Sequence, residues 1–162
     1  MNDGEVRESA RLNDMVCFNL HAASRAVTAV YRPLLEPLGV TYSQYLVLAT
    51  LWESGDLPVG ELASLLHLDY GTMTPLLKRM EKQDLIHRTR NPQDERSVTV
   101  ALAPAGEALR VHSDRIYRSI SNTFDFSSKR ADAALAFLRS IVARADDQIG
   151  ATTPLERAHR AP

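Results

Sequence analysis

Cys17 is the only thiol in this 162-residue chain. His21 follows four residues later, which on a helix is one turn along and on the same face. A protonated imidazole there stabilises a thiolate, and a neutral one accepts the thiol proton; the thiolate is the form that attacks peroxides. With no second cysteine to resolve it, a sulfenic acid on Cys17 needs a small cellular thiol, or further oxidation, to complete any change. A second constellation lies downstream: Tyr70, Thr74, Pro75, Lys78, Arg79 and Lys82, followed by Arg90 and Arg96. Donors and cations at this density suit the base edges and phosphates of a nucleic acid. The remaining histidines, His67, His87, His112 and His159, have no metal-ligand spacing. There is no His-Glu-x-x-His motif, no paired cysteine and no nucleoside-triphosphate loop, so neither metal nor cofactor is expected.

The elements that must position these groups follow from spacing. Asp69 is a helix start signal, and Met73, Leu76, Leu77 and Met80 then recur as on a helix with one buried face. Pro75 falls early enough in that helix to be tolerated, freeing the Gly71 carbonyl. The period changes at Ile86, Arg88 and Arg90, which lead into a turn from Asn91 to Arg96. Ser97 to Ala101 read as the returning strand. Upstream, Pro58 to Leu66 is a short helix carrying Leu62, Ala63 and Leu66, and Thr41 to Ser54 is another with Tyr45, Leu48, Leu51 and Trp52 on its apolar side and Gly55 as its stop. Helix, turn, helix and hairpin give a winged helix-turn-helix, with one helix for the major groove and an arginine at the wing tip for the minor groove.

The flanks are helical too. Leu12, Val16, Leu20, Ala23, Val27, Val30 and Leu34 trace a long first helix, capped at Asn13 and closed by Pro37 and Gly39 with Pro33 near its end. That cap places Cys17 near an opening turn, where the helix dipole favours a thiolate. Pro104 opens a helix reaching Ile116, Ile120 and Phe124, and Ser127 or Ser128 opens a last one that Gly150 ends. The expected fold class is mainly α with a minor β component. Residues 11–150 form one domain, with dimerisation helices at about 11–38 and 104–150 around a winged unit at about 41–102; residues 1–10 are flexible and 151–162 a disordered tail. Apolar faces on the first and last helices are surplus to the winged unit, so a second copy is expected to cover them.

Formal net charge is -1, and between His67 and Arg96 six Lys and Arg meet five Asp and Glu. A nucleic-acid surface must therefore come from placement, not overall basicity. No apolar run is long enough to cross a membrane and no signal peptide is present, while a lone cysteine suits a reducing bacterial cytoplasm.

Several motifs together carry a resemblance. They are Gly71-Thr72-Met73-Thr74-Pro75-Leu76-Leu77-Lys78-Arg79-Met80-Glu81, the Asp94-Glu95-Arg96 wing tip, Cys17-Phe18 with Ala22-Ala23-Ser24-Arg25, Tyr31-Arg32-Pro33-Leu34-Leu35, and Leu38 to Tyr45. Over roughly residues 12–145 the chain resembles MarR-family transcriptional regulators, and among them the one-cysteine OhrR branch that senses organic hydroperoxides. The resemblance implies that Thr72, Thr74, Pro75, Lys78 and Arg79 approach bases or phosphates, and that Arg96 enters the minor groove with Asp94 orienting it. It also implies that Tyr31 and Tyr42 hydrogen-bond to the sensing cysteine. Tyr31 follows Cys17 by fourteen residues, about 21 Å along one helix, so a shared site must join two subunits. His21 stands where many members of the branch carry a third tyrosine.

The expectation is a homodimeric repressor, not an enzyme, that binds a pseudo-palindromic operator in double-stranded DNA and is released when an organic hydroperoxide oxidises Cys17, with a small thiol able to add as a mixed disulfide. One alternative keeps the DNA-binding unit but answers to a small aromatic or phenolic ligand, Cys17 being structural. A Cys17→Ser protein separates the two. A thiol peroxidase is the third reading; it is disfavoured because the alternating strand and helix of a thioredoxin-like scaffold are missing.

Overall fold

The computed structural model describes residues 11–91, 94–124 and 129–152. The expected loose start at 1–10, the helix start at Ser127 or Ser128 and the tail beyond Thr152 lie outside the described residues. A 3-10 turn at Leu12–Asp14 precedes helix α1, Val16–Leu35. The cap expected from Asn13 does not form: Met15 is the N-cap residue and offers no side-chain bond. Instead the Asn19 amide donates back to the carbonyls of Asn13 and Met15, at 2.7 and 2.9 Å. The helix starts two residues later than a cap at Asn13 requires, with Asn13 itself inside the preceding 3-10 turn. Pro33 sits near the end of α1, and the chain turns through Glu36–Leu38 to Gly39, at φ 70°.

Helix α2, Tyr42–Ser54, opens on a reciprocal capping box. The Thr41 N–H donates to Gln44 Oε1 at 2.8 Å, and the Gln44 N–H donates to Thr41 Oγ1 at 3.4 Å. Gln44, Val47, Leu48 and Leu51 form its buried face, with Tyr45 and Trp52 half-buried beside it. Helix α3 (Val59–Leu65) buries Leu62 and Ala63, and α4 (Tyr70–Lys82) buries Met73, Leu76, Leu77 and Met80, the four positions its periodicity selects.

Strands β2 (Ile86–Asn91) and β3 (Asp94–Leu102) make the wing. A two-residue strand β1, Leu57–Pro58, pairs with Val100 and Thr99, giving the antiparallel order β1-β3-β2. It is too short to show a period of its own. The wing also pairs further out than its sequence suggests. Asn91 faces Asp94, so Asp94, Glu95 and Arg96 belong to β3 instead of the expected turn from Asn91 to Arg96. The ladder is made by backbone N–H and C=O groups, which polar residues supply as well as apolar ones.

The single helix expected from Pro104 to Phe124 is broken. It comprises α5 (Pro104–Ala108), a 3-10 turn at Leu109–His112 and α6 (Ser113–Phe124). Gly106 pins α5, since a Cβ there would lie 2.1 Å from the Leu85 carbonyl oxygen. Helix α7 runs Lys129–Thr152, through Gly150, which does not end it. One glycine weakens a helix by about 1 kcal/mol, which is too little to stop it alone.

The fold is mainly α with a small sheet, a winged helix-turn-helix. Two compact units divide the chain, residues 1–120 and 121–162. In the first, Leu12, Met15, Val16, Val111 and Tyr117 are exposed; in the second, α7 exposes Leu135, Phe137, Leu138 and Val142. Of α1, only Leu35 is fully buried.

Candidate nucleic-acid interface and thiol site

Asp69 anchors the outer end of α4. One carboxylate oxygen accepts the Thr72 N–H and the other its hydroxyl, both at 2.9 Å. The Thr72 N–H first, and then the hydroxyl, hold the Asp69 carboxyl below its ordinary range. The Thr72 hydroxyl proton is thereby committed to the cap, and the side chain meets any outside partner as an acceptor. With the apolar stripe turned inward, Tyr70, Thr74, Pro75, Lys78, Arg79 and Lys82 are all exposed, and so is Arg90 on β2. Gly60 makes room for the ring of Tyr70, whose hydroxyl lies 2.6 Å from where a Cβ on residue 60 would stand. The side chains of Asp94 and Arg96 fall outside the described residues.

Arg88, which its spacing marks only as part of the strand, fastens the wing to this helix. Its guanidinium donates to Glu81 Oε2 through Nε, at 3.0 Å, and through Nη2. Those bonds hold the Glu81 carboxyl below its ordinary value. Opposite charges on α4 and β2 were the available signal, but only the fold brings them together. A cavity of about 400 Å³ lies beside the pair, lined by Gly60, Tyr70, Thr74, Leu77, Arg88 and Val98 among others.

Cys17 is exposed and is the second residue of α1. His21, also exposed, follows one turn later. Among the described residues none hydrogen-bonds to the Cys17 sulfur. Tyr31 lies on the same unbroken helix, about 21 Å further along its axis. Tyr31 instead packs against α2: its ring centroid is 4.6 Å from that of Tyr42 and 5.8 Å from that of Tyr45. Tyr45 in turn meets Trp52 edge-on at 6.0 Å. Within one chain the fold thus unites the two expected tyrosines, adds Tyr45 and Trp52 to them, and leaves the thiol apart. The spacing of Tyr42, Tyr45 and Trp52 on one face of α2 was the signal for the larger cluster.

Burial, followed by the charges of Tyr42 and Tyr45, pushes the Tyr31 hydroxyl up to about 12. Burial raises Tyr42, and burial and then Tyr42 raise Tyr45. All three therefore remain protonated at neutral pH and can act as hydrogen-bond donors. Among the described residues, no group of His, Cys, Asp or Glu is placed to hold a metal ion, and no helix is long and apolar enough to cross a membrane.

Residues 40–98 match the MarR family. The chain is 49% identical over 100 residues to the organic hydroperoxide resistance transcriptional regulator of Bacillus subtilis (strain 168), spanning 62% of this chain and 68% of that protein. It is 31% identical over 137 residues to the HTH-type transcriptional regulator SarZ of Staphylococcus aureus, spanning 85% and 93%. The structure of overoxidised AbfR bound to DNA matches with a TM-score of 0.68 and 29% identity over 83% of this chain and 94% of that one. The S. aureus MepR–DNA complex matches with a TM-score of 0.71 over 80% and 97%; at 21% identity it speaks for the fold alone.

Proposed function

Because the chain belongs to the MarR family and is a DNA-binding transcriptional regulator, we propose that it acts as a homodimeric repressor which leaves its operator when an organic hydroperoxide oxidises Cys17. The observation that carries this reading is the separation of the thiol from the tyrosines. Tyr31 and Tyr42 share one cluster, while Cys17 lies about 21 Å from Tyr31 along α1. A single site containing all three needs Cys17 from one subunit and both tyrosines from the other. The exposed apolar residues at the start of α1 support such a pairing, and a symmetric pair would carry two copies of α4 to two half-sites of a pseudo-palindrome.

At the thiol, the thiolate attacks the distal peroxide oxygen. A sulfur–oxygen bond forms, the oxygen–oxygen bond breaks, and the alkoxide leaves and is protonated to the alcohol. Sulfur loses two electrons and becomes sulfenic acid. The Tyr31 and Tyr42 hydroxyls, kept protonated by burial, donate to the thiolate and then to the sulfenic oxygen. A small thiol condensing with that group releases water and leaves a mixed disulfide, whose bulk strains the contact between subunits. His21 sits on the approach to the sulfur, where other members of the branch carry a tyrosine, and supplies or takes up a proton there. On the DNA side, Tyr70, Thr72, Thr74 and Pro75 face base edges, Lys78, Arg79, Lys82 and Arg90 meet phosphates, and Arg96, oriented by Asp94, enters the minor groove. The compartment that suits a lone reduced thiol is the bacterial cytoplasm.

A second reading rests on the cavity between Gly60, Tyr70 and Arg88: a small aromatic or phenolic ligand there acts as the inducer and Cys17 is structural. The deciding experiment is operator binding at fixed salt, before and after one equivalent of cumene hydroperoxide, for wild type and Cys17→Ser. Release of wild type alone supports the redox reading. Retention of DNA by both directs attention to the ligand.

A further inference from the structure

We infer that Gln44 and Gln83 form a strut through which displacement at the Tyr42 end of α2 reaches the recognition helix α4; this rests on the reading of Tyr42 as part of the sensing site. Gln44 is the one buried polar side chain among the described residues, 4% exposed. Both ends of its amide are in use. The carbonyl oxygen accepts the N–H of Thr41, the residue immediately before Tyr42, at 2.8 Å. The amide nitrogen donates to Gln83 Oε1 at 2.6 Å. Gln83 is the C-cap residue of α4, its N–H donating to the carbonyls of Arg79 and Met80. One side chain therefore joins the turn in front of Tyr42 to the last turn of the helix that carries Arg79 and Lys82.

The energetics make this a coupled device. A buried amide left unpaired is costly, so Gln44 keeps both partners as long as the turn at Thr41 and the end of α4 hold their positions. Pulling Tyr42 toward an oxidised cysteine moves Thr41 and, through the intact Thr41–Gln44 cap, draws the Gln44 amide away from Gln83. An open groove of about 490 Å³, lined by Gly39, Thr41, Gln44, Arg79, Lys82 and Gln83, lies over the contact and leaves room for that separation. A capping box alone explains the carbonyl of Gln44. It does not explain why the other half of a buried amide reaches a residue on a different helix.

Two effects on operator affinity and their interaction test the strut, using full-length reduced protein at fixed salt. Tyr42→Ala is expected to weaken operator binding about tenfold in the wild-type background. With Gln83→Met, which has similar length and only a weakly accepting thioether, the same Tyr42→Ala change is expected to cost at most about threefold; with Gln83→Glu, which keeps an acceptor oxygen, the full loss returns. Gln83 is exposed, and thermal unfolding checks that each variant is folded. Equal losses in all three backgrounds overturn the strut. The response of wild type to cumene hydroperoxide is measured separately. A Gln83-dependent Tyr42 effect without peroxide release leaves the strut standing and removes the redox reading.

Discussion

Tyr31 on α1 and Tyr42 on α2 meet with 4.6 Å between ring centroids and 43° between ring planes. This contact fixes the base of α2 against the far end of α1. It also sets two half-buried rings together, where ionising either hydroxyl is disfavoured.

That placement has a pH consequence. The Tyr31 hydroxyl, ordinarily near 10, titrates at about 12. A folded value above the unfolded one means that the contribution to stability is complete below pH 10 and is lost as pH climbs from 10 toward 12. Stability measured by denaturant across that window falls more steeply for wild type than for Tyr31→Phe. Ultraviolet titration of tyrosinate shows one late-ionising group fewer in the variant. Equal slopes would contradict the assigned burial.

For the DNA surface, phosphate and base contacts separate by salt. Replacing Lys78 or Arg79 with alanine lowers the slope of log affinity against log salt by about 0.9 for each phosphate no longer neutralised, on operator and random DNA alike. Thr74→Val, by contrast, narrows the gap between operator and random DNA by about 1–3 kcal/mol while the slope holds. Competition binding at several salt concentrations checks both.

The close approach at Gly106 predicts a large packing effect. A methyl group placed 2.1 Å from the Leu85 carbonyl oxygen forces the backbone apart, and Gly106→Ala is expected to destabilise the fold by about 1–3 kcal/mol. The Gly106 carbonyl also accepts the indole N–H of Trp52 at 3.2 Å. Because Trp52 is the only tryptophan, a shift of native-state fluorescence accompanies the loss of stability.

The Arg88–Glu81 tie is partly exposed and is worth at most about 1 kcal/mol at neutral pH. Glu81 is held below its ordinary 4.5, first by the Arg88 bond. Such a lowered carboxyl stabilises above the ordinary value and stops doing so as pH falls through the lowered one. Wild type and Arg88→Met therefore differ in denaturant midpoint at pH 7 and converge in acid below about 4.5.

The DNA-reading half of the fold was accessible from local pattern because each signal there agrees with burial. Asp69 does cap α4, and Met73, Leu76, Leu77 and Met80 do face inward. Elsewhere local pattern met a competitor that spacing does not encode. Asn13 does not cap because it lies inside the 3-10 turn Leu12–Asp14 and the helix starts only at Val16. The apolar spacing from Pro104 to Phe124 runs straight through Leu109–His112, where the chain tightens into a 3-10 turn. Strand β1 has two residues and exists only through its pairing with β3. At the candidate thiol site, helix rise alone already separates Cys17 from Tyr31. The addition of Tyr45 and Trp52 to the cluster, and the reach of Gln44 to Gln83, required the packing of α2 against its neighbours.

Mixed dimers separate a thiol site shared by two subunits from one built within a single chain. One subunit carries Cys17→Ser with its tyrosines intact; the other keeps Cys17 but carries Tyr31→Phe and Tyr42→Phe. If the site is shared between subunits, the surviving Cys17 faces intact tyrosines, and trapping of its sulfenic acid after limiting cumene hydroperoxide proceeds at the wild-type rate per thiol. If that rate instead stays at the level of the Tyr31→Phe/Tyr42→Phe homodimer, the shared site is wrong.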